Sequence, residues 1–261
     1  MILDSARRIG QAPALRGALE DRPAGGFPVM TIRENLDKVR DRIAAACARA
    51  GRSPQEVVIV AASKTVAADR IQEAVDAGVA VVGENRVQEA EGKIAAVSGD
   101  AVWHMIGHLQ RNKAARAIEL FDMIQSVDSL RLAREIDKRS AEAGRLMDIL
   151  VEVNTSGEET KFGIVPDAAV DAVGEMSGLP HLAVRGLMTI GAFTDDESIV
   201  RKCFGRLRGL AEEVRKAGFH GVVMKYLSMG MTSDFEPAIE EGSNMVRIGT
   251  AIFGARQCRL S

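Results

Sequence analysis

Lys64 lies two residues beyond the apolar run 57–62, in the segment VVIVAASKT, where a buried strand would end and a loop would begin. An amine at that point is held by a rigid strand. We also expect apolar surroundings to dehydrate it in part, so that it can act as a nucleophile toward a carbonyl group. On this segment alone, a solvated lysine at a strand end is the more common occurrence.

Two later segments offer hydroxyl groups and exposed backbone N–H groups. The segment MVRIGTAIFG predicts a strand that ends at Gly249 and Thr250, followed by a turn or a short helix. Nearby, Ser228, Gly230 and Thr232 fall in the loop segment LSMGMTSDF. Oriented N–H groups at such ends bind phosphate, although either loop alone is also an ordinary turn.

A lysine opposite two phosphate-binding loops favours an organic phosphate that also carries a carbonyl group. Pyridoxal 5′-phosphate fits this description, with its aldehyde bonded to Lys64 as a Schiff base and its phosphate on the two loops. The ring nitrogen then needs a partner. Arg247 alternates with Val246 and Ile248 in the last predicted strand, so it points toward the site where they do not.

Other chemistries are disfavoured by residue type and spacing. His104 and His108 are four apart, but Gly107 and a change from strand to loop break the helical register of a zinc pair. We therefore expect no metal site. Paired carboxylates suited to glycoside hydrolysis do not follow the predicted strands.

The composition of the chain excludes several classes of binding partner. Lys and Arg total 34 against 36 Asp and Glu, which gives a net charge of −2 and argues against binding to nucleic acid or an anionic membrane. No apolar run approaches a membrane span, and the three cysteines form neither a disulfide framework nor a metal knuckle. We expect a soluble, cytoplasmic protein, monomeric and in at most transient contact with enzymes that need the cofactor.

The lysine and the loops must be positioned by a regular scaffold. Short apolar runs rich in β-branched residues occur at 57–62, 79–83, 102–107, 122–127, 148–154, 184–190, 224–229 and 245–249. Amphipathic helical segments such as AADRIQEAVDAG lie between them. Eight such units predict a single (β/α)8 barrel of the TIM type, with an open doubly wound sheet as the alternative. In a barrel, the residues that follow each strand line one mouth.

The N-terminal segment differs from the rest. Residues 1–29 are rich in Arg, Pro and Gly and lack sustained periodicity, so we expect a flexible extension. Thr31 and Glu34 form a predicted capping box before the run IRENLDKVRDRIAAACARAG, which predicts an extra N-terminal helix. The barrel domain is therefore predicted over residues 30–261.

Several motifs resemble those of the YggS/PROSC family of pyridoxal phosphate homeostasis proteins. They extend from about residue 31 to 256 and are ASKT, GENRVQE, WHMIGHLQRNK, SVDS, VEVNTSGEETKFG, RGLMTI, LSMGMTSDFEPAIEEGS and VRIGTAIFGAR. The resemblance implies a barrel like the N-terminal domain of alanine racemase. It also implies that Lys64 forms the Schiff base, that Arg247 is the partner of the ring nitrogen and that Asn85 lies near the ring. The phosphate would be held by Ser228, Gly249 and Thr250, together with Thr232 and its loop.

Binding of the cofactor does not by itself imply turnover. A two-base racemase needs an acid or base on each face of the cofactor, commonly a lysine and a tyrosine, and Tyr226 is the only tyrosine in the sequence. An arginine at the ring nitrogen also weakens the ring as an electron sink. We therefore expect a protein that buffers and delivers the cofactor without catalysis. A racemase-like enzyme and a barrel that uses Lys64 as an aldolase-type Schiff base on a sugar phosphate are the alternatives.

Overall fold

The computed structural model describes residues 30–254. Within them, eight parallel strands pair in chain order and form a barrel, which closes because β1 pairs with both β2 and β8. The strands are β1 (Val58–Ala62), β2 (Val81–Glu84), β3 (Val102–Met105), β4 (Met123–Val127), β5 (Met147–Glu152), β6 (Leu182–Met188), β7 (Tyr226–Ser228) and β8 (Met245–Ile248). The predicted barrel is confirmed, and each of the eight apolar runs overlaps one strand.

Helices lie outside the barrel. They are α1 (Ile32–Arg49), α2 (Ala68–Asp76), α3 (Val87–Ala96), α4 (Ala114–Leu120), α5 (Leu130–Glu142), α6 (Ala169–Ser177), α7 (Glu197–Ala217), α8 (Phe235–Glu240) and α9 (Thr250–Phe253). Helices α2 to α8 each connect two successive strands, whereas α1 precedes β1 and α9 follows β8. No helix among residues 30–254 is long and apolar enough to cross a membrane. Cys47 and Cys203 are buried free thiols.

Helix α1 precedes the first strand, as predicted. Its N-terminus carries the expected capping box: the Glu34 amide donates to Thr31 Oγ1 at 3.2 Å, and the Thr31 amide donates to Glu34 Oε2 at 2.8 Å. Its buried face includes Leu36 and Val39, and it packs on α2, α8 and α9. The predicted extension, residues 1–29, lies outside the described part of the chain.

Side chains along each strand point alternately into the barrel and toward the helices, which gives two separate apolar layers. Val60, Ile106, Met123, Leu150, Met188 and Met245 form one buried cluster inside the barrel, and a larger cluster lies between the barrel and its helices. Two residues beyond an interior apolar side chain, several strands carry a buried polar one. These polar residues are Gln125 after Met123, Glu152 after Leu150 and Arg247 after Met245. The interior is therefore apolar in its middle and polar toward the carboxyl ends of the strands.

Candidate functional site

A cavity of about 560 Å³ opens at the carboxyl ends of β1, β2 and β3. It is lined by Lys64, Asn85, Arg86, Val87, Gln88, Glu89, Met105, Gly107, His108, Leu109, Gln110 and Lys113. This is the end of a (β/α)8 barrel at which ligands bind. Two of the side chains singled out from the sequence, Lys64 and Asn85, therefore lie on one open cavity.

Lys64 itself is exposed. The expectation that apolar surroundings dehydrate this amine is wrong, because the chain leaves β1 at Ala62 and turns at residues 63–65 into the open cavity. The Lys64 ammonium forms no hydrogen bond or ion pair with any other residue of the described chain. It is thus sterically accessible to a ligand that carries a carbonyl group.

The backbone of Asn85 is held between the end of β2 and the loop after β3. Its backbone N–H donates to Oε2 of Glu84, the last residue of β2, at 3.3 Å. On its other side lies Gly107, where an added Cβ would be only 2.6 Å from the Asn85 carbonyl oxygen. Because this approach leaves no room for a side chain, the glycine after β3 is what allows the two loops to pack together.

The turn after β8 lies beside the lysine loop. An added Cβ at Gly249 would stand 3.1 Å from the carbonyl oxygen of Ala62, the last residue of β1. Helix α9 begins directly afterwards at Thr250. Within residues 30–254, the backbone N–H groups of Thr250 and Ala251 donate to no protein acceptor. They are available to an anion beside the Lys64 loop.

The loop after β7 also has a glycine in a crowded position and backbone N–H groups without protein acceptors. Gly230 adopts a left-handed conformation (φ +94°), and an added Cβ there would lie 2.6 Å from the Ala238 Cβ. Its carbonyl accepts a hydrogen bond from the Arg247 amide at 3.0 Å, which ties the loop to β8. The amides of Thr232 and Ser233 have no protein acceptor in the described part of the chain. The two loops predicted to hold a phosphate are therefore neighbours.

Arg247 points into the barrel, whereas Val246 and Ile248 face the outer core. Its Nη1 donates to Ser228 Oγ at 2.6 Å and to the Ser228 carbonyl at 2.9 Å, and its Nη2 donates to the Thr189 carbonyl at 2.8 Å. Burial lowers the pKa of Arg247 to about 10, a value at which the guanidinium is still protonated near neutral pH.

Ser228 is wholly buried, and its hydroxyl already has two protein partners. It donates to Gln125 Oε1 at 2.7 Å while it accepts from Arg247. The Gln125 amide in turn donates to His104 Nδ1 at 2.8 Å. To hold a phosphate, the Ser228 side chain would have to give up one of these bonds, so its predicted role stays a prediction.

Glu152 completes the polar layer inside the barrel. It is the last residue of β5 and is only 3% exposed. Burial raises the pKa of Glu152 to about 7; the charge of Asp128 also raises it, and the charge of Arg247 opposes the rise. A carboxyl group that is partly protonated near neutral pH therefore lies close to Arg247.

The two histidines considered as a metal pair have different environments. His104 is buried inside the barrel, which lowers its pKa to about 4. His108 lines the cavity, where its Nδ1 lies 2.9 Å from Asp128 Oδ2 and its ring stacks on Phe162 at 3.8 Å between centroids. Residues 30–254 contain no group of three or more His, Cys, Asp or Glu side chains placed to hold a metal.

The predicted site residues thus fall into two adjoining groups. Lys64 and Asn85 line the cavity, whereas Ser228, Gly230, Thr232, Arg247, Gly249 and Thr250 lie outside its lining, on the side formed by β7 and β8. The contact of Gly249 with Ala62 joins the two groups.

Four polar residues of this region were not assigned a role from the sequence: Glu84, Lys93, Gln125 and Glu152. Strand alternation is a signal for two of them, because Gln125 follows the interior Met123 by two positions and Glu152 follows Leu150 in the same way. Nothing in the sequence indicates that Lys93, in the last turn of α3, contacts Glu84 at the end of β2.

Comparisons with known proteins place this barrel in a family. Residues 34–257 match the family model of the alanine racemase N-terminal domain. The pyridoxal phosphate homeostasis protein of Aquifex aeolicus is 42% identical over 229 residues, which cover 87% of this chain and 100% of the relative. The protein of that name from Escherichia coli (strain K12) is 43% identical over 235 residues, which cover 86% and 97%.

Among solved structures, PipY of Synechococcus elongatus with PLP bound matches with a TM-score of 0.76 and 34% identity. The match covers 86% of this chain and 100% of PipY. Identity at this level over nearly the whole barrel shows more than a shared fold, and the motifs ASKT and GENRVQE include Lys64 and Asn85 of the cavity described above. The chain belongs to the pyridoxal phosphate homeostasis protein family.

Proposed function

We propose that this protein binds pyridoxal 5′-phosphate and maintains its supply to enzymes that use it. The observation that carries the proposal is the position of Lys64 on an open cavity, beside the Gly249–Thr250 turn with its free N–H groups. When bound, the cofactor supplies an aldehyde that a lysine amine captures reversibly as a Schiff base. The family relatives carry the name of this function, and PipY has been solved with PLP bound.

The residues present fit such a ligand. Four backbone N–H groups without protein acceptors, at Thr232, Ser233, Thr250 and Ala251, suit a phosphate that needs several donors. Gly249 supports the same conclusion, because an added Cβ there would crowd the Ala62 carbonyl that lies next to the lysine loop. We assign the phosphate to these N–H groups together with the hydroxyls of Thr232 and Thr250.

Arg247 is assigned to the ring nitrogen. Its cationic guanidinium disfavours protonation of a pyridine nitrogen beside it, and an unprotonated ring is a weaker sink for electrons. Asn85 is assigned to the ring from the cavity side. In this proposal, Lys64 forms the covalent bond, and the other residues hold the cofactor in place without activating it.

We further propose that the protein releases the cofactor rather than turning over a substrate. Tyr226 supports this, because it begins β7 and packs with the apolar cluster inside the barrel, two residues before Ser228 on the same face. Its ring therefore lies one layer below the polar end of the barrel. This position does not suit a second acid or base at the mouth.

The first experiment tests the covalent bond. Purified protein is mixed with the cofactor, its absorption spectrum is recorded before and after borohydride, and the trapped lysine is mapped by mass spectrometry. We expect the modification at Lys64, with Lys64→Ala losing the absorption band but retaining measurable noncovalent affinity. A trapped cofactor on another lysine would refute the assignment.

The second experiment tests delivery. Cofactor-loaded protein is mixed with an apo-enzyme in the presence of a scavenger of free cofactor, and recovery of enzyme activity is followed. We expect recovery faster than spontaneous release allows, from a monomer that contacts the apo-enzyme transiently. Recovery no faster than release would leave buffering alone, and steady exchange of the α-proton of an amino acid over many turnovers would favour the racemase-like alternative.

A further inference from the structure

The two residues that flank Lys64 are both held by side chains of helix α3. Lys93 Nζ donates to the Ser63 carbonyl at 2.9 Å, and the Thr65 amide donates to Glu89 Oε2 at 3.3 Å. The loop that carries Lys64 is thus fixed on each side of the lysine by a helix that follows the neighbouring strand.

The centre of this arrangement is an ion pair between Lys93 and Glu84. Lys93 Nζ lies 2.6 Å from Glu84 Oε1 and 3.6 Å from Glu89 Oε2. Glu84 has no exposed surface, and only 14% of the Lys93 side chain is exposed, so solvent screens their attraction weakly. The Ser63 hydroxyl also donates to Glu84.

The Glu84 carboxylate also contacts Asn85, a second residue that lines the cavity. Glu84 Oε2 accepts a hydrogen bond from the amide of Asn85. The residue before Lys64, the residue after it and Asn85 are therefore all held by one cluster, which consists of Lys93, Glu84 and Glu89. None of these three carries out the assigned carbonyl chemistry itself.

The loop also has a conformation that must be maintained. Thr65 has φ +64°, and no other residue except glycine has a positive φ in the described part of the chain. A β-branched residue is unfavourable in this left-handed region, so the turn needs compensating contacts. The hydrogen bond from the Thr65 amide to Glu89 is one such contact, and the bond from Lys93 to the Ser63 carbonyl is another.

We propose that Lys93, paired with Glu84, is a positioning residue that sets the Lys64 amine for attack on the aldehyde of the cofactor. This inference rests on the proposed function, in which Lys64 forms the covalent bond. Reactions of this kind depend steeply on the placement of the reacting atoms. Lys93 therefore controls the rate of bond formation through the geometry of the Ser63–Thr65 turn.

The test is Lys93→Met, which removes the ammonium but keeps most of the apolar stem. We expect formation of the Lys64 bond, followed by absorbance after mixing with pyridoxal 5′-phosphate, to slow by about tenfold or more. In a Lys64→Ala background, the same substitution should leave noncovalent cofactor affinity within about twofold. Measuring cofactor affinity for this substitution with and without Lys64, beside the rate of bond formation, separates positioning of Lys64 from a general effect on the barrel.

Arg185→Met is the matched control, because Arg185 Nε pairs with Asp148 Oδ1 at 2.8 Å in another partly buried ion pair of the barrel, away from the Lys64 loop. It should not change the rate of bond formation. Glu89→Ala serves as a second variant if Lys93→Met does not fold, since it removes the carboxylate that holds the Thr65 amide and lies 3.6 Å from Lys93 Nζ. It should also slow formation of the Lys64 bond.

Bond formation at the wild-type rate in Lys93→Met, or in Glu89→Ala where the first variant does not fold, would overturn the assignment of Lys93. An equal loss of affinity with and without Lys64 would also overturn it, because that result indicates a general structural role. If the wild-type protein itself gives no borohydride-trapped cofactor, the proposed function fails first. The two failures are therefore distinguishable.

Discussion

Arg247 Nη1 and Ser228 Oγ lie 2.6 Å apart inside the barrel, where neither side chain has appreciable exposure to solvent. The contact places Ser228 in a continuous chain of hydrogen bonds that runs from His104 through Gln125 and Ser228 to Arg247. A chain of this kind is costly to interrupt, because each buried polar group depends on the next one for a partner.

Ser228→Ala is therefore expected to destabilise the protein even without cofactor. The substitution leaves Gln125 Oε1 without its donor and removes one acceptor of Arg247, which should lower the free energy of unfolding by about 1–3 kcal/mol. Urea unfolding of the cofactor-free protein measures this. Ser177→Ala, which removes only a hydroxyl bond to the Gly174 carbonyl, is a suitable control with a smaller effect. Equal stability of wild type and Ser228→Ala would show that the buried hydrogen-bonded network does not depend on this hydroxyl.

Thr250→Val tests the proposed phosphate site. We expect cofactor affinity to fall by about 1–3 kcal/mol, the range for loss of a hydrogen bond to a charged group, while the absorption band of the Lys64 bond stays unchanged. Thr250→Ser keeps the hydroxyl and should bind as the wild type does. Affinity is measured by titration, with circular dichroism to establish that both variants fold. Unchanged affinity in Thr250→Val would remove the hydroxyl from the phosphate site.

The architecture was predictable because the hydrophobic period and the residue composition of a short segment determine its secondary structure. Eight β-branched runs separated by amphipathic segments require parallel strands with helical crossovers, and this fixed the end of the barrel at which to look for the site. The boundaries of the strands were less predictable. The run 102–107 continues past β3, which ends at Met105, because Gly107 must leave the strand to pass close to Asn85.

The details of the site depend on contacts between distant parts of the chain. The exposure of Lys64 follows from the turn at Ser63–Thr65, and that turn depends on how α3 docks beside β1. The partners of Arg247 depend on the pairing of β6 with β7 and of β7 with β8, which no local pattern encodes. Glu152 is the exception, because its alternation with Leu150 already indicates an interior carboxyl group.

Glu152 should make stability depend on pH. Because its pKa is raised from 4.5 to about 7, the folded protein holds a proton between these values that the unfolded chain has lost. Stability from this group is therefore present below pH 4.5 and falls as the pH rises to about 7, by on the order of 3 kcal/mol in all.

Glu152→Gln is the corresponding variant, since glutamine is close in shape and does not ionise. Relative to wild type, its free energy of unfolding should rise between about pH 4.5 and about pH 7, as measured by urea unfolding in both proteins. Comparing the two proteins cancels the contribution of His104, whose lowered pKa also affects stability in mild acid. Parallel pH profiles would show that Glu152 is ionised in the folded protein across this range.

An aromatic stack lies beside the Lys64 cavity. Phe162 stacks on His108 with ring centroids 3.8 Å apart and an interplanar angle of 11°, although about half of the Phe162 side chain is exposed. The stack joins the loop after β5 to a residue that lines the Lys64 cavity. Its loss should free both loops and make it easier for the cofactor to leave.

We expect Phe162→Ala to accelerate cofactor release by about two- to tenfold, which corresponds to the roughly 0.5–1.5 kcal/mol of an aromatic pair. Release is followed by stopped-flow absorbance with a scavenger that traps free cofactor. The matched control is Phe193→Ala, because Phe193 is 96% exposed and no ring contact involves it in the described part of the chain. Removal of Phe193 changes surface apolarity without touching the cavity, so release should keep the wild-type rate. If both variants release the cofactor at that rate, the stack of Phe162 on His108 does not limit how fast the cofactor leaves.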